Sequence, residues 1–417
     1  MNSEIAGPLD LRARNDASRH WAWKIGRAIP PGMRRRLMTA GSSALVMLRK
    51  RRHSVQPGPV TVAGLLQSTA GVGQAARLTL AAFRALGLDT RHLDLCRLLH
   101  INEHVAGSHG PEARPDEGGT TILQLNPPQM PLALALLGGE FVRGRRLIGY
   151  WAWELQQVPA WWSMAFKCID ELWAPSQFVA RALRKDAQVP VKVVRHPVQR
   201  PIASRLTRRD FGIPEDAFVC LSALDARSGI TRKNPLGAVK AFRRAFGRDP
   251  RHVLVLKINE AHMAPVVMAR LQEEAAASGN IRLILAKYQP QDMAALIACS
   301  DVVLSLHRSE GFGLLLAEAM LLGKPVVATG WSGNLDFMHS ANSVLVDYEL
   351  VGVRDAQGIY TQRDQLWAEP STKSAAASLQ ELASNSTLRA QVGHRAQRDA
   401  TQFFNLDSFR REVGDLG

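Results

Sequence analysis

Cysteine is scarce in this sequence, with four residues among 417, at positions 96, 168, 220 and 299. Their wide separation gives neither the paired spacing of a zinc site nor the dense disulfide framework of a small secreted domain. We therefore expect a reducing compartment, the cytoplasm. The sequence also lacks a cluster of His and Cys residues, so we expect no bound metal.

Long apolar runs are missing as well. None approaches the roughly 18 residues needed to span a bilayer, and the N-terminus has neither a signal-peptide core nor a cleavage site. We therefore expect a chain that is not exported by that route and not integrally anchored. Hydrophobic residues at 46% and charged residues at 21% are typical of a soluble globular protein rather than a disordered one.

Acidic residues are few relative to basic ones, which leaves a net charge of +15. The first 58 residues hold twelve Lys or Arg residues and three Asp or Glu residues, so nine of those charges lie there. Trp21, Trp23 and the apolar run Ala44–Leu48 are interleaved with them. This mixture is typical of an amphipathic segment on an anionic membrane, where each cation contributes about 1 kcal/mol.

We predict that residues 1–58 form a basic amphipathic extension, which binds an anionic membrane surface through residues 20–53. The protein would then be cytoplasmic and peripherally associated with the inner face of the membrane. A solvated basic tail is the alternative. Nucleic acid is the rival partner, but the rest of the chain contains no recognisable binding module for it, so we expect no nucleic acid to bind.

The remainder of the chain alternates short apolar runs with helical segments, which indicates parallel sheets with crossover helices. The pattern lapses around residues 198–216, a stretch rich in Arg and Pro, and then resumes. The length also favours two domains. We predict an α/β protein with two Rossmann-like doubly wound sheets, at residues 59–205 and 206–395, followed by a helical tail at 396–417.

The stretch "SEGFGLLLAEAML", Ser309 to Leu321, follows a buried strand and opens a helix. Its loop should lie at the carboxyl end of that strand, where open α/β sheets bind ligands. Gly311 and Gly313 allow close backbone approach, and free N–H groups at the helix start favour an anion such as phosphate.

Two carboxylates flank this turn. Glu318 lies about one turn into the helix, so its side chain leans back toward the anion site and suits the hydroxyl groups of a ribose. Glu310 lies at the edge of the loop, within reach of hydroxyl groups or of developing positive charge. The alternative is that each carboxylate is paired with a nearby Arg or Lys.

The spacing of Glu310 and Glu318, with Gly-Phe-Gly between them and "GKPVVAT" and "SGN" after them, resembles the nucleotide-sugar signature of the family-four (group 1) retaining glycosyltransferases. The resemblance implies the GT-B fold, in which two Rossmann-like domains face each other across a cleft. It also implies that the sugar nucleotide binds mainly to the second domain. Gly311, Phe312 and Gly313 would then bind the donor together with Glu310 and Glu318.

A second match lies in "LDARSGITRKNP", where Arg227 and Lys233 correspond to the paired cations of the family that grip the donor diphosphate. Fixed cations stabilise the charge that grows on the leaving group. Arg232 is left open as a third member. No Asp-x-Asp occurs in the chain, which agrees with a transfer that needs no metal.

Further candidates carry weaker patterns. Gly71 and Gly73, in "GVGQAAR", resemble the loop that faces the donor phosphate from the first domain. Tyr288 lies where the family contacts the nucleobase, and Glu154 follows a strand whose end opens toward an acceptor. His196 adjoins the domain junction, where a structural role and a ligand role are both open.

We predict a metal-independent retaining glycosyltransferase with no cofactor besides its nucleotide-sugar donor. It would move a hexose, with mannose as one candidate, to a lipid-linked or growing surface glycan of a bacterium, the lipid being a polyprenyl diphosphate. The alternatives are a non-catalytic carbohydrate- or membrane-binding GT-B scaffold, a phosphorylase holding pyridoxal phosphate, and an NAD-dependent oxidoreductase.

Overall fold

The computed structural model describes residues 31–50, 54–101, 103, 105, 109–127, 129–360, 362 and 364–416. The first sheet contains β1 (Val60–Gly64), β2 (Thr90–Asp94), β3 (Gly119–Gln124), β4 (Arg145–Tyr150), β5 (Glu171–Ala174) and β6 (Val191–Val193). All its pairings are parallel, in the order β2-β1-β3-β4-β5-β6. Both faces of β3 are buried, as expected for a parallel strand covered by helices on each side.

The second sheet contains β7 (Phe218–Asp225), β8 (His252–Asn259), β9 (Ile281–Ile284), β10 (Val302–Ser305), β11 (Val326–Thr329) and β12 (Val344–Val346). It is also parallel, in the order β12-β11-β10-β7-β8-β9. An antiparallel hairpin follows, made of β13 (Tyr348–Gly352) and β14 (Leu366–Pro370). The predicted fold class, two doubly wound parallel sheets, is confirmed.

The helices that cover the sheets are α1 (Pro31–Lys50), α2 (Gly71–Ala85), α3 (Gln129–Val142), α4 (Ser163–Phe166), α5 (Gln177–Arg184), α6 (Ile230–Lys233), α7 (Pro235–Phe246), α8 (Pro265–Ser278), α9 (Pro290–Cys299), α10 (Leu314–Leu321), α11 (Thr372–Ser384), α12 (Ser386–Phe403) and α13 (Leu406–Val413). Short 3₁₀ turns lie at Ala160–Trp162, Ala226–Ser228, Ala261–Met263 and Gly333–Asp336. Each sheet has buried apolar clusters on both of its faces, so each domain has its own core.

The C-terminal segment departs from the expected boundary at residues 395 and 396, because α12 runs through it without a break. After α12 the chain returns to the first domain. Phe409 in α13 packs 5.7 Å from Phe83, and Thr120 Oγ1 donates a hydrogen bond to the carbonyl oxygen of Leu416 at 2.6 Å. The end of the chain therefore completes the core of the first domain. The expected junction at residues 205 and 206 lies in the segment between β6 and β7.

Part of the basic extension is a helix docked on the first domain. In α1, Thr39, Ser43 and Val46 are buried, and α1 packs against α3. Leu37 and Leu45 are 57% and 40% exposed. Residues 1–30 and 51–53 lie outside the described part of the chain, so membrane binding through residues 20–53 stays a prediction. Among the described helices, none combines the length and apolarity needed to cross a bilayer.

Candidate active site

The candidate site lies at the point where the strand order of the second sheet reverses. Neighbouring strands β7 and β10 send their connections in opposite directions, toward β8 and toward β11. Such a switch point opens a crevice at the carboxyl ends of the strands, where ligands of doubly wound folds bind. The loops that border it are residues 226–234 after β7 and residues 306–313 after β10.

The glycine-rich loop before α10 is held in place by its neighbours. Gly313 has φ +101°, which favours glycine, and lies directly before the first residue of α10. The backbone N–H of Glu310 donates to Ser332 Oγ at 2.7 Å, and the N–H of Gly333 donates to the carbonyl oxygen of Glu310 at 2.9 Å. Ser176 of the first domain donates from Oγ to the carbonyl oxygen of Gly311 at 2.6 Å. Ser332 and Gly333 of the "SGN" motif thus hold the backbone of the loop in place.

Glu310 is buried between two cations. Lys233 Nζ lies 2.6 Å from Oε1 of Glu310, and a guanidinium nitrogen of Arg232 lies 3.2 Å from Oε2. Burial acts to raise the pKa of Glu310, but Lys233, Arg232 and His307 together lower it to about 2. The carboxylate is therefore ionised at neutral pH. Of the two alternatives for Glu310, pairing with basic residues is the one observed, and Lys233 is one of the partners.

Arg232 is the centre of this cluster, with 2% of its side chain exposed. It donates to the carbonyl oxygens of Ser309 at 2.6 Å and of Ser228 at 2.8 and 3.1 Å. Glu154 Oε1, from the first domain, lies 3.6 Å away. Burial acts to lower the pKa of Arg232, but Tyr360, Glu310 and Glu154 raise it above its usual value, so the guanidinium stays charged.

Arg227 is held by two carboxylates, Asp225 of its own turn and Glu103 of the first domain. Its Nη2 and Nε bond to Asp225 at 2.6 and 3.0 Å, and its Nη1 pairs with Glu103 of the first domain. Glu103 in turn accepts hydrogen bonds from Ser68 Oγ at 2.8 Å and from the backbone N–H of Thr69 at 2.7 Å. The role of Arg227 at the donor diphosphate therefore stays a prediction.

The turn before α2 faces the start of α10 across the cleft. A Cβ placed on Gly71 would lie 3.8 Å from Leu314 Cδ1, so Gly71 borders the predicted phosphate site. A Cβ on Gly73 would instead lie 2.5 Å from the carbonyl oxygens of Leu65 and Ser68, which is sterically forbidden. Gly73 is therefore required by the packing of its own turn, and its expected contact with phosphate has no support in the geometry.

Glu318 meets the first domain through Gln74, whose Nε2 lies 3.3 Å from Oε1 of Glu318. Burial raises the pKa of Glu318 to about 7, because the hydrogen bond from Gln74 and the charge of Arg77 offset only part of the desolvation. Glu318 is thus partly protonated at neutral pH and can both donate and accept hydrogen bonds. This suits a ribose hydroxyl, a role that stays a prediction.

Glu154 lies at the domain interface. Its Oε2 accepts a hydrogen bond from the hydroxyl of Tyr360 at 2.9 Å, and the Tyr360 ring packs 5.3 Å from that of Trp153. Tyr360 belongs to the loop between β13 and β14, and its pKa is raised well above the usual value by burial. Contact of Glu154 with an acceptor hydroxyl stays a prediction, and its observed partners are Tyr360 and Arg232.

His196 and Phe312 are both buried and pack against each other. Their rings pack at 4.9 Å, and the other neighbours are Tyr150, Phe337 and Phe404. Burial lowers the pKa of His196 to about 3, which keeps it neutral. The structural alternative fits His196. The Phe312 side chain is buried in the core, so only its backbone is left to meet a donor, and donor binding by Phe312 stays a prediction.

Tyr288 follows β9 and is half-buried, with its ring 5.6 Å from that of Phe211. Lys257 Nζ lies 5.3 Å from the Tyr288 ring centre, and burial lowers the pKa of Lys257 to about 8. Stacking of Tyr288 on a nucleobase stays a prediction. In the described part of the chain, no three His, Cys, Asp or Glu side chains converge as a metal-binding group, and the absence of a metal stays an expectation.

The fold is the GT-B fold, as comparison with solved structures shows. HepE of Anabaena, in complex with UDP and glucose, has a TM-score of 0.62 at 15% identity, covering 86% of this chain and 98% of that chain. A glycosyltransferase of Rickettsia africae has a TM-score of 0.59 at 13% identity, covering 86% and 97%. WaaG, a glycosyltransferase involved in lipopolysaccharide biosynthesis, has a TM-score of 0.57 at 12% identity, covering 85% and 100%.

The second domain carries the sequence match. Residues 235–367 match the family model of group 1 glycosyl transferases, and this segment contains both Glu310 and Glu318. A search of curated proteins found no match to the chain. The predicted resemblance is therefore supported for the GT-B fold of the chain and for the sequence of residues 235–367.

Proposed function

We propose that this protein is a retaining, metal-independent glycosyltransferase that moves a hexose from a nucleotide-diphosphate sugar to a lipid-linked or growing surface glycan. One observation carries the proposal. The N-terminus of α10, its glycine loop, Glu310 and Lys233 meet at the switch point of a domain whose sequence matches group 1 glycosyl transferases.

The site suits a nucleoside diphosphate because it offers backbone N–H groups and a cation to the same small space. Lys233 is 22% exposed and ends in three rotatable donors, so it can turn from Glu310 to a phosphate oxygen. Glu318, partly protonated, would bind the ribose. The UDP-glucose complex of HepE supports a nucleoside-diphosphate hexose as the donor class, with GDP-mannose as the rival donor.

Glu310 would serve as an anion throughout the reaction. Arg232 still faces it when Lys233 turns to the diphosphate, so the carboxylate stays ionised at neutral pH and accepts hydrogen bonds from sugar hydroxyls. Its charge also stabilises the positive charge that develops on the sugar as the bond to the diphosphate breaks. Retention follows from the family resemblance, and comparing the anomeric configuration of donor and product by NMR tests it.

The same proposal places the enzyme in the cytoplasm, on the inner face of the membrane, where lipid-linked acceptors are found. The supporting observations are the nine net positive charges of residues 1–58 and the exposed Leu37 and Leu45 on docked α1. Flotation of the full chain with anionic vesicles at low salt should recover it, and neutral vesicles should not. A chain that stays in the soluble fraction with both would remove the membrane from the proposal.

The donor is tested by thermal shift with UDP, GDP, CDP and ADP sugars. A specific ligand at 100 times its Kd stabilises the native state by about 2.7 kcal/mol. A full chain that none of these sugars stabilises, and that transfers none of them, contradicts the proposal.

Transfer is then tested with Glu310→Gln, which should lose about 100-fold to 1000-fold in kcat. Glu274→Gln is the matched control, since Glu274 pairs with Arg243 on the solvent side of α8, away from the cleft. If the Glu310 variant binds donor and turns it over like the parent, Glu310 has no part in the chemistry. A parent that binds a sugar nucleotide but transfers nothing fits the scaffold alternative.

A further inference from the structure

The arrangement around Glu310 assigns a separate task to Arg232. We propose that Arg232 is a positioning residue, which fixes the direction of the Glu310 carboxylate, and that Glu154 of the first domain completes the site in which it works. Lys233 remains the cation that turns to the diphosphate. This inference rests on the proposed function, because Glu310 is there the group that faces the sugar.

The guanidinium of Arg232 is held in place by hydrogen bonds to backbone carbonyl oxygens as well as by ion pairs. One guanidinium nitrogen donates a hydrogen bond to the carbonyl oxygen of Ser309 at 2.6 Å and forms an ion pair with the carboxylate of Glu310 at 3.2 Å. Arg232 thus holds the side chain of Glu310 and the peptide group just before it. The other two nitrogens hold the carbonyl oxygen of Ser228, which anchors the guanidinium to its own turn. With 2% of the side chain exposed, Arg232 cannot reach a phosphate without losing these bonds.

The two carboxylate oxygens of Glu310 have different partners, so Lys233 and Arg232 can have different roles. Oε1 accepts a hydrogen bond from Lys233 at 2.6 Å, and Oε2 forms an ion pair with Arg232 at 3.2 Å. A lysine is a flexible point charge, whereas an arginine presents a rigid planar fork. If Lys233 moves to a diphosphate oxygen, Oε1 becomes free for a sugar hydroxyl, while Arg232 keeps the carboxylate in place through Oε2.

Glu154 links this pair to the other domain. It lies 3.6 Å from the guanidinium of Arg232, and its second oxygen is held by the hydroxyl of Tyr360 at 2.9 Å. Two carboxylates from two domains therefore flank one buried guanidinium. Removing Arg232 alone would leave both carboxylates with a single lysine, which is strongly destabilising in a buried cluster.

The test must separate positioning from charge neutralisation. Arg232→Gln combined with Glu154→Gln removes one positive and one negative charge, so the cluster keeps its net charge. Arg243→Gln is the control for replacing a paired arginine at the surface. The measurements are the melting temperature, the Kd of the nucleoside diphosphate alone, the Kd of the complete sugar nucleotide, kcat, and the pH profile of kcat/KM.

If Arg232 positions Glu310, the double variant should fold and bind the nucleoside diphosphate within about twofold of the parent. It should lose most of the affinity that the sugar adds, and about 100-fold in kcat, because the carboxylate is no longer aligned. The acid limb of the pH profile should move up by about one pH unit, since Glu310 has lost one of the cations that lower its pKa. Arg232→Lys should recover the pH profile more than kcat.

Two outcomes overturn the inference. A double variant with the parent's kcat and pH profile would mean that Arg232 only neutralises Glu154. A double variant that binds the nucleoside diphosphate much more weakly would mean that Arg232 grips the phosphates. Failure of the proposed function gives a different result, because the parent protein itself would then neither bind any sugar nucleotide nor transfer a sugar from one. In that case the inference about Arg232 fails as well.

Discussion

Replacing Glu318 by Gln should stabilise the protein at pH 8 and change its stability much less at pH 5. In the folded protein burial raises the pKa of Glu318 to about 7, whereas a glutamate in an unfolded chain has its ordinary value of 4.5. The unfolded chain therefore loses this proton first. The stability that the group contributes is fully present below pH 4.5 and is lost as the pH rises through about 7.

The size of the effect follows from these two values. Each pKa unit corresponds to about 1.4 kcal/mol, so the whole loss is about 3 kcal/mol. About 2.5 kcal/mol of it falls between pH 5 and pH 8. Gln keeps the shape and the hydrogen bond to Gln74 but carries no titrating group, so the variant escapes this loss. For a domain of this size the difference at pH 8 amounts to roughly 5 to 10 °C in melting temperature.

The assay compares the melting temperatures of parent and Glu318→Gln in steps of one pH unit from 5 to 8. The difference between the two proteins is the quantity of interest, because all other titrating groups are common to both. Glu274→Gln controls for replacing a carboxylate by an amide elsewhere. A difference that stays constant over this range would show that Glu318 is already ionised at pH 5, and the argument from its burial would be refuted.

Three further changes should have measurable effects. Gly333→Ala should disrupt the loop before α10, because the added Cβ would lie 2.2 Å from the carbonyl oxygen of Gly311. The donor affinity measured by calorimetry should therefore fall, and an affinity equal to that of the parent would contradict this. Glu103→Gln should tighten donor binding by up to about fivefold, since a carboxylate no longer competes with the diphosphate for Arg227; equal or weaker binding would count against that competition. Phe409→Ala should lower the free energy of unfolding by about 3 to 5 kcal/mol, because α13 loses its contact with Phe83. Denaturant titration measures this loss, and a value below about 1 kcal/mol would show that α13 contributes little to the core.

Much of the fold followed from the sequence because parallel strands and crossover helices leave strong local patterns. The glycine loop could be placed for the same reason, since a buried strand, a Gly-Phe-Gly turn and a helix follow one another directly. Gly313, with φ +101°, is where the pattern required a glycine. Features that depend on residues close together in the sequence can therefore be predicted from it.

The partners of the site residues could not be predicted in this way. Arg227 and Glu103 are 124 positions apart, and Tyr360 and Glu154 are 206 apart, with no local pattern connecting them. Arg232 and Lys233 are adjacent in sequence, and only the three-dimensional structure distinguishes the buried cation from the half-buried one. The motif likewise did not reveal that the Phe312 ring turns inward.

The return of the chain to the first domain has a mechanical consequence. The polypeptide passes between the two domains twice, once before β7 and once between α12 and α13, and both passages border the same small cavity, which contains Pro197 and Asn405. Two bodies joined by two neighbouring covalent connections can swing about that place far more easily than they can slide or twist. Any widening of the cleft to admit a donor would then be one rotation that pivots beside this cavity.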